Sequence, residues 1–422
     1  MDKIVVYGGR PLTGELEADG AKNSVLPIMA ALILNDSGED VVIENAPNIR
    51  DVRVMCKILM SLGVKVTDRG GGCLVFNTAN ITTSSIPLSL SKEMRSSVFI
   101  MGPLLARLGR VQVYGPGGCA IGSRPIDLHL RGLRALGARI EEAGEYISAA
   151  SPVLKGGEIH LDLPSVGATE NVMMAAVGAQ GETIIKNAAR EPEIVDLQTF
   201  LNFLGADIRG AGTSTIRIKG PSLLRGGSYR VIPDRIVAGT MLMAAGITGG
   251  NILLRNVIPR HLEAVIAKLR EAGMEIEEGE SWLRARGSRL KGLDKVKTQA
   301  YPGFPTDLQA PMMALLSLAR GKSNIYEEIF DGRLKHVDEL RKLGARITSK
   351  GNRAEITGVA KLLPGKVVKA TDLRAGAALV LAALAIQGKT EILHPEHIDR
   401  GYDNLEEKLA RLGAEVFRVR SF

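Results

Sequence analysis

Hydrophobic and polar residues follow one pattern that occurs six times along this chain. Each copy contains a helix with a single apolar face, then a glycine, then the alternating residues typical of paired strands. In the fourth copy the apolar residues 262, 265, 266 and 269 follow helical spacing, and Gly273 comes soon after them. Glycine at this position is a signal that ends a helix. The pattern therefore predicts a unit of helix, turn and hairpin.

The glycine that ends each helix recurs at nearly constant spacing. The intervals between its six positions are 74, 68, 68, 71 and 69 residues. This period is longer than the ~20–50 residues of ordinary solenoid repeats. Two closed clusters of three units fit the spacing better, so we predict one domain over 22–232 and a second over 1–21 and 233–422. The six glycines are Gly63, Gly137, Gly205, Gly273, Gly344 and Gly413.

A second helix in each unit is apolar nearly all round and rich in Ala, Met and Leu. Such a helix has no polar face for solvent, so it must be buried on most sides. We expect each one to pack against its equivalents in neighbouring units. The predicted segments are 25–34, 98–108, 172–179, 236–247, 308–318 and 375–386.

Polar residues collect where these apolar helices begin. Ser165, Thr306 and Thr371 are of types that cap helix N-termini, and capping is the role predicted for them. Three basic residues do not fit capping, because a cation at a helix N-terminus opposes the helix dipole by roughly 0.3–1 kcal/mol. Their placement predicts that a phosphate or carboxylate lies at these helix ends. The three are Lys22, Arg95 and Arg374.

Composition limits the classes of function. The chain has 422 residues and a formal charge of +8, but its basic residues are dispersed and form no stripe typical of nucleic-acid binding. The excess favours a basic cleft for a small polyanion. The N-terminus reads as a strand, and no apolar run reaches membrane-spanning length, so we expect a cytoplasmic protein without membrane insertion. His394 and His397 have a spacing seen in metal sites, but without neighbouring ligand types we predict no metal.

The segment 115–125 is rich in Gly and Pro and contains Cys119 close to Arg124. Such a composition predicts a loop. A thiol near a permanent positive charge is a candidate for a lowered pKa and nucleophilic chemistry. The segment alone fits an unreactive cysteine in a surface turn equally well.

Nine short motifs in a fixed order carry a resemblance that covers essentially the whole chain. The chain resembles the UDP-N-acetylglucosamine 1-carboxyvinyltransferases of the enolpyruvyl transferase family. Gly332 departs from the family pattern, which often has Asn there. The motifs occupy 20–23, 94–96, 116–125, 165–169, 188–196, 233–235, 304–307, 371–374 and 397–402.

The resemblance implies an α/β fold of two inside-out barrels. Each barrel would contain three repeated units with helices inside and sheets outside, and the active site would lie in the interdomain cleft. The implied reaction moves the enolpyruvyl group of phosphoenolpyruvate to the 3′-hydroxyl of UDP-N-acetylglucosamine and releases phosphate. It proceeds by addition and elimination, needs no cofactor, and is the first committed step of peptidoglycan synthesis. The resemblance leaves any protein partner unknown.

The resemblance also assigns residue roles. Asp307 corresponds to the residue that takes the proton of the sugar hydroxyl. Cys119 corresponds to a thiol that protonates the enolpyruvyl methylene, can add covalently to phosphoenolpyruvate and reacts with fosfomycin. Lys22, Arg124 and Arg400 would hold phosphoenolpyruvate, with Arg95, Arg333 and Arg374 beside them. The positions that match contacts to the nucleotide sugar are Asn23, Arg124, Pro125, Ser165, Val166, Gly167, Asp307 and Ile329.

Three alternatives stay open on the sequence. The first is the sister reaction on shikimate 3-phosphate, which the cysteine loop argues against. The second is a catalytically weak relative that binds a nucleotide sugar or a regulatory protein. The third is a nucleic-acid binder, suggested only by the positive charge.

Overall fold

A computed structural model describes residues 2–115 and 126–420, except for the side chain of Arg95. The described chain forms two compact units, named here for their places in the sequence: the central unit (20–115 and 126–232) and the terminal unit (2–19 and 233–420). The sequence predicts that the first domain starts at residue 22, two residues later than the central unit begins. Ala21 belongs to the central unit because its N–H donates to the carbonyl oxygen of Ile232 at 2.8 Å.

The strands of the described chain are short and are distributed over its whole length. They are β1 (Lys3–Gly8), β2 (Thr13–Glu17), β3 (Val41–Glu44), β4 (Lys65–Asp68), β5 (Leu74–Asn77), β6 (Arg110–Tyr114), β7 (Arg139–Ala143), β8 (Tyr146–Ala150), β9 (Glu158–His160), β10 (Gly181–Lys186), β11 (Asp207–Arg209), β12 (Thr215–Gly220), β13 (Gly227–Arg230), β14 (Asn251–Arg255), β15 (Glu275–Glu278), β16 (Trp282–Arg286), β17 (Val296–Lys297), β18 (Lys322–Tyr326), β19 (Arg346–Lys350), β20 (Arg353–Thr357), β21 (Lys366–Lys369), β22 (Gly388–Leu393) and β23 (Glu415–Val419).

The helices alternate with these strands. The α-helices are α1 (Lys22–Ala31), α2 (Arg50–Ser61), α3 (Leu88–Glu93), α4 (Met101–Leu108), α5 (Asp127–Ala135), α6 (Val166–Val177), α7 (Pro192–Leu204), α8 (Arg235–Thr248), α9 (Glu263–Glu271), α10 (Gln309–Leu316), α11 (Val337–Lys342), α12 (Leu373–Leu384) and α13 (Leu405–Arg411). Short 3-10 helices cover Leu32–Leu34, Arg95–Ile100, Pro259–Leu262, Thr306–Leu308 and Pro395–Arg400.

The apolar helices form the interior of each unit, as predicted. In the terminal unit α8, α10 and α12 pack against one another. In the central unit α4 packs on α6, while α1 contacts both α6 and the 3-10 helix Arg95–Ile100. Almost every residue of these helices is buried, including residues on all sides of α10 and α12. Within the described ranges, no helix combines the length and the apolar character needed to span a lipid bilayer.

Three sheets belong to each unit. Those of the central unit have the strand orders β11-β12-β10-β9, β13-β3-β5-β4 and β6-β8-β7. Those of the terminal unit have the orders β21-β22-β1-β23, β15-β16-β14-β2 and β17-β18-β20-β19. Strand β1 is antiparallel to both β22 and β23, so the N-terminal strand completes the last repeat. One face of each sheet is buried: in β12, Ile216 and Ile218 are buried, whereas Arg217 and Lys219 are exposed.

The glycines that end the amphipathic helices all adopt the predicted turn. Gly63, Gly137, Gly205, Gly273, Gly344 and Gly413 have φ angles from 89° to 120°. An L-residue with a side chain is strained at such angles, whereas glycine is not. The helix then reverses directly into a strand, which confirms the helix, turn and hairpin unit.

The prediction of helix caps was right for one residue and wrong for two. Ser165 caps α6, accepting a hydrogen bond from the N–H of Ala168 at 3.3 Å. Thr371 does not cap α12, because Asp372 accepts from two backbone N–H groups of that helix instead. Thr306 makes no capping hydrogen bond. Its hydroxyl is held by side chains of the site described below.

Close helix packing generates a testable prediction at Gly102 in α4. A Cβ atom built there would lie 2.2 Å from the backbone oxygen of Asn171 in α6. Because backbone cannot move aside as a side chain can, we expect Gly102→Ala to lower the free energy of unfolding by about 1–3 kcal/mol. Gly157→Ala is the matched control, since a Cβ there meets nothing within 4 Å. Urea unfolding followed by circular dichroism measures both, and equal midpoints for the two variants would contradict the prediction.

Candidate active site

A half-buried carboxylate held by two buried arginines is the main charged cluster at the helix ends of the terminal unit. Asp307 lies in the 3-10 turn that leads into α10, and Arg374 is the second residue of α12. Arg333 comes from the loop before α11. Its Nη2 donates to Asp307 Oδ1 at 2.7 Å, and Arg374 Nη2 donates to Oδ2 at 2.9 Å. Three sequence-predicted residues are thereby brought together.

The two guanidinium groups determine the charge of this carboxylate. Their side chains are only 4% and 3% exposed, whereas that of Asp307 is 24% exposed. Burial alone would raise the pKa of Asp307, but the charges of Arg374 and Arg333 outweigh it and hold this pKa far below its usual range. Asp307 is therefore ionised and, in this arrangement, a weak base.

The guanidinium of Arg374 lies over the ring of Tyr402, 5.4 Å from the ring centroid. The Tyr402 hydroxyl pairs with Thr240 Oγ1 of α8 at 2.9 Å, which fixes the ring. Arg374 Nε and Nη1 and Arg333 Nε are buried and have no well-oriented acceptor in the described part of the chain. Buried donors without an acceptor are costly. An anion bound here would satisfy them.

Thr306 and Glu327 form a second layer behind Arg333. Arg333 Nη1 donates to Thr306 Oγ1 at 2.9 Å, and the Thr306 hydroxyl donates to the Glu327 carboxylate at 2.9 Å. The carboxylate of Glu327 is 2% exposed and also accepts from the backbone N–H of Ile329 at 3.0 Å. Ile329 itself is 40% exposed.

His336 supports Arg333 from its other side. Its Nδ1 donates to the carbonyl oxygen of Arg333 at 3.1 Å, which leaves Nε2 as the unprotonated nitrogen. Nε2 is buried without a partner in the described residues. Burial lowers the pKa of His336 to about 4. The imidazole is therefore neutral at physiological pH.

Arg400 ends the 3-10 segment Pro395–Arg400. The preceding residue, Asp399, accepts two hydrogen bonds from Arg418 of β23, at 2.7 and 2.6 Å. Arg418 Nε also donates to Glu406 of α13 at 2.6 Å. The segment that carries Arg400 is thus fixed to the sheet by a bidentate ion pair.

In the central unit, Lys22 begins α1 and forms a buried ion pair with Asp51 of α2. Their Nζ and Oδ2 atoms are 2.7 Å apart, and the two side chains are 10% and 2% exposed. Asp51 is thus the partner of Lys22 in the described structure, as Asp307 is the partner of Arg374. The neighbouring residues are Asn23, which is half-buried, and Ser24, whose hydroxyl donates to Asp196.

The predicted nucleotide-sugar residues Ser165, Val166 and Gly167 form the start of α6. A Cβ built on Gly167 would lie 3.0 Å from Cε1 of the buried His129 ring, so only glycine fits there without displacing the ring. His129 Nδ1 pairs with Asn171 Nδ2 at 3.1 Å, and Asn171 Oδ1 accepts from Gly102 N at 2.6 Å. This network fixes the first two turns of α6.

Four of the predicted site residues cannot be placed. Cys119, Arg124 and Pro125 lie outside the described residues, as does the side chain of Arg95. The sequence reasoning in turn missed Asp51 and Glu327, for which no motif gave a signal. Tyr402 lies within the motif 397–402 but was given no role.

The family model described as EPSP synthase (3-phosphoshikimate 1-carboxyvinyltransferase) matches residues 6–409. The chain is 51% identical over 423 residues to UDP-N-acetylglucosamine 1-carboxyvinyltransferase of Finegoldia magna, covering 99% of each chain. It is 54% identical over 424 residues to UDP-N-acetylglucosamine 1-carboxyvinyltransferase 1 of Symbiobacterium thermophilum, covering 99% of this chain and 95% of that one.

Solved structures are similar in fold. The enolpyruvyl transferase NikO from Streptomyces tendae matches with a TM-score of 0.89 at 24% identity, over 100% of this chain and 99% of that one. EPSP synthase from Acinetobacter baumannii matches with a TM-score of 0.76 at 18% identity, over 100% of both chains. These likenesses confirm the predicted α/β fold class. The chain belongs to the enolpyruvyl transferase family, and within it to the UDP-N-acetylglucosamine 1-carboxyvinyltransferases.

Proposed function

We propose that this protein transfers the enolpyruvyl group of phosphoenolpyruvate to the 3′-hydroxyl of UDP-N-acetylglucosamine and releases phosphate. The observation that carries the proposal is the carboxylate of Asp307 between two buried arginines, in a chain about half identical to relatives named for this reaction. The product would begin peptidoglycan synthesis. Both substrates are highly charged and do not cross membranes unaided, so the protein would act in the cytoplasm.

The addition needs two proton movements, and the elimination needs a third. The oxygen of the sugar hydroxyl bonds to C2 of phosphoenolpyruvate, its proton goes to a base, and a second proton goes to C3, which gives a tetrahedral ketal. In the elimination a base takes a proton from C3, the C2–C3 double bond forms again, and the bond from C2 to the phosphate oxygen breaks so that phosphate leaves. In this proposal Asp307 takes the hydroxyl proton, and Cys119 protonates C3.

Substrate binding would change the strength of Asp307 as a base. The two arginines hold its pKa low while they are paired with it. When the carboxylate or phosphate of a substrate also pairs with those guanidinium groups, their positive charge is divided between Asp307 and the substrate. The pKa of Asp307 then rises toward its ordinary value. The buried unpaired donors of Arg333 and Arg374 support such an anion. Asp307 would then become a competent base only when substrate is present.

Further substrate contacts are proposed from the family motifs. Lys22, Arg124 and Arg400 would bind phosphoenolpyruvate, because cations orient its phosphate and carboxylate. Arg95, Arg333 and Arg374 would lie beside them. The positions that would contact the nucleotide sugar are Asn23, Arg124, Pro125, Ser165, Val166, Gly167, Asp307 and Ile329. No step requires a cofactor in this scheme.

Phosphate release tests the function directly. We expect the protein to release phosphate from phosphoenolpyruvate only when UDP-N-acetylglucosamine is present, with an enolpyruvyl ether as the second product by mass spectrometry. Shikimate 3-phosphate is the alternative acceptor, suggested by the description of the family model. Turnover with shikimate 3-phosphate alone would replace the proposal by the sister reaction. No turnover with either acceptor would point to a binding protein.

Cys119→Ala tests the thiol. We expect the variant to lose about a hundredfold or more in kcat, because positioned proton transfer contributes about 10²–10⁴-fold. It should also lose covalent labelling by fosfomycin, measured by intact-protein mass. Cys56→Ala is the matched control: burial raises the pKa of Cys56 to about 11, so that thiol is unreactive. Full turnover by the Cys119 variant would remove this residue from the mechanism.

Asp307→Asn tests the carboxylate through both turnover and stability. Turnover should fall by about a hundredfold or more. Because the pKa of Asp307 is lower in the folded protein, its ionisation stabilises the fold above the unfolded value of about 4, and this contribution is lost as pH falls below it. The urea midpoint of the variant should therefore lie below wild type at pH 7, and the gap should narrow below pH ~4. Asp338→Asn is the control, because the Asp338 side chain is 76% exposed. Its urea midpoint should equal that of wild type at both pH values.

A further inference from the structure

The carboxylate of Glu327 makes an unusual number of hydrogen bonds for a residue outside the proposed catalytic set. It follows β18 directly and is 2% exposed. Its Oε1 accepts from Thr298 Oγ1 at 2.9 Å, from Thr306 Oγ1 at 2.9 Å, and from the N–H groups of Ile329 and Phe330 at 3.0 and 3.2 Å. Its Oε2 accepts from Thr306 as well, at 2.9 Å. A buried carboxylate is stable only when it is well paired, and here neutral donors do the pairing.

The Thr306 hydroxyl between Glu327 and Arg333 has a fixed direction. A guanidinium can only donate, and an ionised carboxylate can only accept. The single hydroxyl proton must therefore point at Glu327, and an oxygen lone pair must point at Arg333 Nη1, 2.9 Å away. A hydroxyl without Glu327 would be free to rotate and could turn its proton toward the guanidinium.

The orientation of Arg333 in turn determines how it meets Asp307. The guanidinium is planar and rigid, so fixing Nη1 on Thr306 also fixes the direction of Nη2. Nη2 is the atom that donates to Asp307 Oδ1 at 2.7 Å. The ring of Phe330 lies 5.3 Å from Arg333 Cζ and covers one face of this plane. The backbone N–H of Phe330 donates a hydrogen bond to Glu327. The Glu327 carboxylate therefore holds both Thr306 and Phe330, which contact the guanidinium of Arg333.

We propose that Glu327 is a positioning residue for the transfer reaction, which sets Arg333 against Asp307 through the Thr306 hydroxyl and holds the 329–330 turn through backbone N–H groups. The inference rests on the proposed function for its substrates. It assigns to Glu327 no contact with substrate. Thr306, for which the sequence predicted capping, is the connecting group.

Two isosteric variants separate positioning from simple stabilisation. Thr306→Val removes the hydroxyl between Glu327 and Arg333. Thr298→Val removes a hydroxyl that bonds the same carboxylate at the same distance but has no hydrogen bond to Arg333 in the described structure. Both variants delete one donor to Glu327, so a role limited to folding predicts equal effects on turnover.

We expect Thr306→Val to lower kcat/KM for UDP-N-acetylglucosamine by about tenfold to a hundredfold, the range for loss of a hydrogen bond to a charged group. Thr298→Val should stay within about threefold of wild type, and urea midpoints show whether both variants are folded. In Thr306→Val the acid limb of the kcat profile should also move to higher pH, because Asp307 is then held less firmly by one guanidinium. Equal losses in the two variants, or no loss in either, would overturn the proposal.

Glu327→Gln provides the conservative rescue. The amide oxygen can still accept from the backbone N–H groups and from Thr306, so we expect activity between wild type and Glu327→Ala. Crystal structures of wild type and Thr306→Val give a readout that does not depend on turnover. Displacement of Arg333 Nη2 from Asp307 would support the positioning role even if wild type proved inactive with UDP-N-acetylglucosamine. An unchanged pair in the variant would overturn it, whichever acceptor the enzyme uses.

Discussion

Helices that are apolar on every side impose the main constraint on this protein. Three of them must be enclosed together in each unit, because no face can be left to water. In the terminal unit α8, α10 and α12 satisfy this by packing on one another, and the sheets cover them with their apolar faces. Gly102 lets the backbones of α4 and α6 approach closely, and Gly239 leaves room for the side chain of Leu308. Two buried ion pairs of the interior then lie at the ends of these helices.

The helix ends are consequently where charge is buried. Arg374 at the start of α12 and Asp307 at the start of α10 meet there, and Lys22 at the start of α1 meets Asp51 in the central unit. Each pair places a cation where the helix dipole disfavours it, and a carboxylate offsets that cost. Breaking such a pair leaves an unpaired buried charge. Each buried cation therefore keeps a carboxylate partner in the described structure.

Charge balance around Asp307 connects structure and chemistry. One carboxylate between two guanidinium groups leaves a local positive excess, and buried N–H groups stay unpaired in the described chain. A ligand with phosphate and carboxylate groups would neutralise this excess. Thr306, Glu327 and His336 hold Arg333 and its surroundings with hydrogen bonds of fixed direction, and Glu327 also places a second carboxylate behind Arg333.

The sequence by itself determined the repeat, the turn glycines and the nature of the buried helices. These follow from local rules: period, positive φ at Gly63 and its equivalents, and the absence of a polar face. Its motifs also led to the correct family. Tertiary structure decided which charges pair. Nothing local to residue 51 or residue 327 marks it as a partner of a site residue, because a contact between distant elements depends on how the helices pack. The same reason explains Thr306, whose residue type predicts a cap. Its hydroxyl instead forms hydrogen bonds with Glu327 and Arg333, which are 21 and 27 residues away along the chain.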